Sequence, residues 1–153
     1  MNKSIIDNEP FNVGQIRLNE LSVYNWGSFH GLHTAKIDPI GTLVTGDNGS
    51  GKTTFIDGLM ALLLPAGRAS FNVAAAQGDS KDRTLLSYMR GNFGSAHDGS
   101  KTKVKSKRDQ SVITGLRACY KADNGNYITL AVLFWATPTA TSSADYLSPL
   151  CYC

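Results

Sequence analysis

Residues Gly46-Asp47-Asn48-Gly49-Ser50-Gly51-Lys52-Thr53 fit G-x-x-x-x-G-K-[ST] in full, and no other stretch restricts the fold so tightly. A loop of this kind needs a strand to deliver it and a helix to leave it. Ahead of it lies GTLVTG, in which Thr42 to Thr45 are β-branched or apolar and Gly46 stops the run. Behind it lies KTTFIDGLMALLL, with Ile56, Leu59, Met60 and Leu63 at helical spacing and Pro65 as terminator. The expectation is strand, glycine loop, helix.

Glycines at positions 46, 49 and 51 let the backbone aim successive N–H groups into one concavity, and the following helix adds the positive end of its dipole. Such a cradle fits a polyphosphate. Lys52 would reach the β- and γ-phosphate oxygens as a point charge, the Thr53 hydroxyl would ligate Mg²⁺, and Thr54 would hydrogen-bond an α-phosphate oxygen through its hydroxyl or N–H. A GTPase is disfavoured: the D-x-x-G at Asp38 to Gly41 precedes the loop, and no N-K-x-D follows it. A small-molecule kinase would require an acceptor site that is not evident in the sequence.

Composition sets the frame around this motif. With 153 residues, 42% apolar and 18% charged, the chain is long enough for one domain with a core and too apolar for wholesale disorder. A net charge of +3 does not by itself announce a nucleic-acid protein. Cys119, Cys151 and Cys153 form neither an even disulfide set nor a C-x-x-C pair, which fits a reducing, cytoplasmic setting. The start, MNKSIIDNEP, lacks the apolar core of a secretory signal, and the longest apolar runs fall well short of the ~20 residues that span a bilayer.

Residues 1–12 read as a flexible lead-in closed by Pro10. From Val13, Ile16 and Leu18 share one face of a strand, then the apolar phase shifts to Leu21 and Val23, which predicts a bulge. Gly27 and Gly31 punctuate the connection to a second short strand, LHTAKID, before a turn at Asp38-Pro39. Residues 66–100 read as a long insertion holding one short helix. Asp79 or Ser80 would cap it, Leu85 and Met89 lie on one face, and Arg90-Gly91 closes it. SVITGLRACYK and YITLAVLFWA read as two strands joined through Asn124-Gly125, a type I′ hairpin signal, and residues 138–153 show no period.

The segments ELSVYNWGSFHG, GTLVTGDNGSGKTTFIDGLMALLLP, RASFNVAAA and RTLLSYMRGNFGS together carry a wider pattern. It resembles the amino-terminal half of the ATPase head of SMC-like proteins, closest to the JetC subunit of Wadjet plasmid-defence systems and its MukB- and MksB-type relatives. The likeness runs from about Leu18 to Ala136. It implies an α/β P-loop NTPase lobe of the ABC or SMC-head kind over residues 13–137, with a mixed sheet, an antiparallel hairpin and an incomplete fold. It also implies ATP and Mg²⁺ held by Asn48, Gly49, Ser50, Gly51, Lys52, Thr53 and Thr54, with Thr53 on the metal. Its partners would be the C-terminal half of the head, a second head copy and a kleisin-like subunit.

Departures from the family pattern bear on activity. No apolar run ending in Asp-Glu and no LSGG-like signature is present, and neither Gln77 nor Gln110 stands in a Q-loop context. No heptad pattern supplies the coiled-coil arm. The chain therefore reads as half a head, without catalytic residues of its own, and its tail is consistent with a truncated or shifted reading frame. The alternative is a stand-alone, non-catalytic nucleotide-binding or interaction module.

Other features stay open at this level. KTKVKSKR holds five of the chain's 15 basic residues; Lys101, Lys103, Lys105 and Lys107 would form a DNA-facing strand edge, or else a solvated loop. Trp26 and Phe29 would pack near a nucleotide or serve as core aromatics. Arg68 and Arg83 are equally open. His30, His33 and His97 lack metal-ligand spacing.

Overall fold

The computed structural model describes residues 14–64, 84–98, 101–140 and 150–152. Element order is β1 (Ile16–Tyr24), β2 (Leu32–Lys36), α1 (Lys52–Leu63), α2 (Leu85–Arg90), β3 (Asn92–Asp98), β4 (Lys101–Ser106), β5 (Val112–Ala122), β6 (Tyr127–Ala136) and β7 (Leu150–Tyr152). Five strands form one sheet in the order β2-β1-β5-β6-β7, and β3 pairs with β4 in a separate ribbon. Among the described residues no helix is long and apolar enough to cross a membrane.

Alternation explains the main sheet. Along β5 the residues Val112, Thr114, Leu116 and Ala118 are buried while Ile113 and Arg117 are exposed. Leu21 and Val23 of β1 and Val132 and Phe134 of β6 line the same inner face, and Ala61, Leu62, Leu85 and Met89 of the two helices close over it. The phase shift in β1 appears as a register shift between Leu18 and Glu20 in its pairing with β5.

Several expectations change in the structure. Thr42 to Thr45 form no strand: Ile40 is 98% and Leu43 87% exposed, and the segment runs to the loop without a ladder. A strand in this place needs hydrogen-bonding neighbours alongside it, and no described segment supplies one. For the same reason every observed pairing is antiparallel, and the expected mixed sheet does not occur among the described residues.

The 92–98 stretch, read as insertion, is a strand that borrows its order from β4. The β5–β6 hairpin turns through 123–125 with a positive φ at Gly125 alone, so the turn is a type I turn followed by a glycine bulge rather than type I′. The last stretch, without a readable period, contributes β7, which pairs with Leu130 to Val132. Thr84 caps α2, its hydroxyl accepting from Ser87 N–H while the Ser87 hydroxyl accepts from Thr84 N–H. Asp79 and Ser80, the expected caps, lie outside the described residues, as do Arg68, Gln77, Arg83 and the Ser70-Phe71-Asn72 flank.

Candidate functional site

The loop from Gly46 to Gly51 leaves the main-chain path of ordinary residues three times, with φ of 147° at Gly46, 82° at Gly49 and 96° at Gly51. These are conformations that cost a residue with a Cβ on the order of 1–2 kcal/mol, so the glycine pattern is a steric requirement. Ser50 N–H donates to Asp47 O at 3.1 Å and closes the loop's turn. Gly51 is the N-cap of α1 and offers no side chain to cap it; the first N–H bonded back within the turn is that of Phe55, to Gly51 O at 2.9 Å. The N–H groups of Lys52, Thr53 and Thr54 meet no acceptor among the described residues. They converge at the positive end of a 12-residue helix, which is the chemistry that receives phosphate oxygens.

The Lys52 ammonium folds back over this loop. Nζ donates to Gly46 O and Asp47 O, each at 2.7 Å. Both acceptors are neutral carbonyls, so the positive charge remains for an anion seated in the same concavity. Thr53 is exposed on the first turn of α1 and free to offer its hydroxyl to a cation. Thr54 is turned otherwise: its methyl lies under Gly27, and its carbonyl accepts from Trp26 Nε1 at 2.7 Å. Its N–H is among those left without an acceptor at the helix start.

A turn over residues 26–29 walls this loop. A Cβ placed on Gly51 would lie 3.0 Å from Phe29 Cζ and 3.0 Å from Ser28 Oγ, and one on Gly27 would lie 2.4 Å from the Thr54 methyl. Phe29 meets Phe55 edge-on at 5.8 Å between centroids and His33 at 5.1 Å. The two open aromatics thus separate. Phe29 stands against the loop, whereas Trp26 is fully buried and stacked on Tyr88 at 4.6 Å. Behind them the Tyr88 hydroxyl donates to Asp57 Oδ2 in the second turn of α1, both groups being buried.

Sequence reasoning missed the group that holds this turn. Arg108, last of the basic run, points inward: Nε donates to Met89 O at 2.7 Å and Nη2 to Gly27 O at 2.9 Å, with longer bonds to Tyr88 O and Phe29 O. Burial lowers its pKa from the ordinary arginine value, but a guanidinium stays charged. One signal was available, a lone guanidinium ending a series of lysines. Lys107 stays outside, Nζ donating to Ser28 O at 3.1 Å. Lys105 is exposed, and β4 is a strand rather than a loop.

A separate concavity lies elsewhere. About 350 Å³ opens on the sheet face turned away from the helices, between Tyr24, Leu32, Gly115 and Leu133. Its one charged lining side chain, Arg117, is already paired with Glu20 at 2.8 Å, so the phosphate loop remains the site with chemistry.

Residues 18–78 match the family described as the P-loop containing region of an AAA domain. The match begins inside β1 and runs through the wall turn, the loop and α1. The match covers less than half of the chain; over that stretch it supports a P-loop region of the ATPase kind, which suggests nucleotide binding. No curated protein matches the chain.

Proposed function

We propose that this chain is the ATP-binding amino-terminal portion of an SMC-like, JetC-type ATPase head, in plasmid defence or chromosome organisation, which needs the carboxy-terminal half-head for hydrolysis. One observation carries the reading: α1 is apolar on two opposite sides. Asp57, Gly58, Ala61 and Leu62 are buried against the sheet and α2, while Ile56, Met60 and Leu63, half a turn of the helix wheel away, are 46%, 38% and 47% exposed. Leu43 and Val44, ahead of the loop, are exposed as well. A helix clothed this way belongs between two layers, and the second layer would also supply the neighbours that 42–45 needs as a strand.

In this reading the N–H groups at 49–54 and the Lys52 ammonium bind the β- and γ-phosphates, and Thr53 Oγ1 joins the metal. Mg²⁺, when bound, would neutralise part of the charge on the phosphates. Walker B and signature groups come from the other half-head and a second copy. Lys101, Lys103, Lys105 and Lys107 are proposed as DNA contacts, and a kleisin-like subunit as a further partner.

The test is a titration of Mg·ATP into the purified chain, followed by thermal stability. A saturable rise in midpoint that Lys52→Ala abolishes, with almost no turnover, is expected. ATP turnover by the isolated chain, lost in Lys52→Ala, would overturn the half-head. A monodisperse, cooperatively folding chain would favour the stand-alone module.

A further inference from the structure

We infer that Arg108 is the positioning residue of the phosphate loop, acting through the 26–29 turn. This rests on the nucleotide-binding reading above and adds to it the part of the chain that sets the site's geometry.

Three facts combine. First, Arg108 ties two separate segments together: Met89 O and Tyr88 O at the end of α2, and Gly27 O and Phe29 O in the turn. Among the described residues its charge meets no carboxylate; the observed ion pairs are Arg17 with Asp123 and Arg117 with Glu20. A half-buried guanidinium satisfied by main-chain carbonyls alone is oriented by their directions, and its planar fork holds them at fixed separation. The turn is pinned to α2 a second time by Gly27 N–H donating to Tyr88 O at 2.7 Å.

Second, the turn touches the loop without slack. Ser28 Oγ and Phe29 Cζ each lie 3.0 Å from the place a Cβ would take on Gly51, and the Thr54 methyl lies under Gly27. Trp26 Nε1 grips Thr54 O. A displacement of the turn therefore displaces Gly51 and the first turn of α1, the segment whose N–H groups point at the phosphates.

Third, the loop has no ladder of its own on its amino-terminal side, since 41–47 carries no strand pairing. The wall turn is what fixes it, and binding sites loosened by fractions of an ångström lose affinity because the ordering cost moves into the binding step.

Lysine at 108 keeps the charge but offers one ammonium in place of a fork, so it cannot hold α2 and the turn together. The experiment compares the parent chain with Arg108→Lys. Mg·ATP is titrated while Trp26 emission is followed in a Trp135→Phe background, and amide hydrogen exchange is read over residues 49–55 and over β5. The expected result is roughly tenfold weaker Mg·ATP binding, faster exchange at 49–55, and unchanged exchange in β5. A folded Arg108→Lys that binds as tightly as the parent overturns the inference alone. Weaker binding with exchange raised equally in β5 also overturns it, since that is general loosening. No binding by the parent overturns the nucleotide reading, and this inference with it. Should Arg108→Lys fail to fold, Gly91→Ala reads the same contact. A Cβ there would lie 2.6 Å from Gly27 O and 2.7 Å from Arg108 Nη2, which forces the fork off the turn while leaving Arg108 in the chain; unaltered affinity in that variant is again refuting.

Discussion

Removing the hydroxyl of Tyr88 isolates one bond behind the phosphate loop. Tyr88 is 6% and Asp57 5% exposed, and the hydroxyl donates to Asp57 Oδ2, joining α2 to the second turn of α1. Tyr88→Phe keeps the ring that stacks on Trp26 at 4.6 Å, so little packing is lost. The carboxylate loses this donor in a place water does not reach. Hydrogen bonds to charged groups contribute about 1.5–3 kcal/mol, and a stranded buried acceptor sits at the upper part of that range, so a loss of ~2 kcal/mol is expected. For a chain of this length that corresponds to a fall of about 4–8 °C in Tm. Asp57→Ala should cost a similar amount, because it removes the acceptor of the same bond. The double variant should cost less than the two singles summed, by about 1–2 kcal/mol, since it removes both halves of one interaction. Urea denaturation of the four proteins measures this cycle. Additivity within ~0.5 kcal/mol would refute the claim that this bond couples the helices.

Other perturbations follow from the same contacts. Gly27→Ala combines a φ of 52° with a Cβ 2.4 Å from the Thr54 methyl. It should destabilise by about 2–4 kcal/mol in urea denaturation and weaken Mg·ATP binding in the same preparation. Ile56→Lys with Met60→Lys, on the uncovered side of α1, should change stability by no more than ~0.5 kcal/mol each, lower light scattering of the free chain, and prevent pairing with a second half-head. Asp123 has its pKa lowered below the ordinary 3.8, first by the Gln15 N–H and then by Arg17. Its stabilising effect is therefore present above pH 3.8 and lost as pH falls through the lowered value. The Tm difference between parent and Asp123→Asn should be present at neutral pH and shrink on acidification below that point; a difference that grew instead would reverse the assignment.

What could be read ahead of the structure divides along a physical line. The hairpin at 112–136, the bulge in β1 and the glycine loop are local: alternation, a phase slip and a steric code are written within a few residues. Apart from Phe93, the 92–98 strand has small and polar residues with low strand preference, and its order comes with the pairing to β4. Arg108 looks like its lysine neighbours in one dimension. Only the meeting of α2 with the 26–29 turn makes it a half-buried fork. The helix cap was misplaced for a similar reason, since Thr84 and Ser87 form their reciprocal bonds without the glutamate that marks a capping box.

The failed strand at 42–45 carries the argument furthest. Its composition is that of a buried parallel strand, yet it stays exposed while the loop after it keeps three left-handed glycines and a helix start. Loop geometry here does not derive from the strand. It is held from the opposite side, through Gly51 against Ser28 and Phe29, Trp26 on Thr54 O, and Arg108 on the turn. Burial of Ile56, Met60, Leu43 and Val44 would then be the driving force left for a second layer, and a strand seated beside 42–45 would tighten the loop from the side that now lacks support. Nucleotide affinity and assembly of the second half should therefore rise together. An affinity unaffected by a bound half-head would mean that the wall turn alone sets the site.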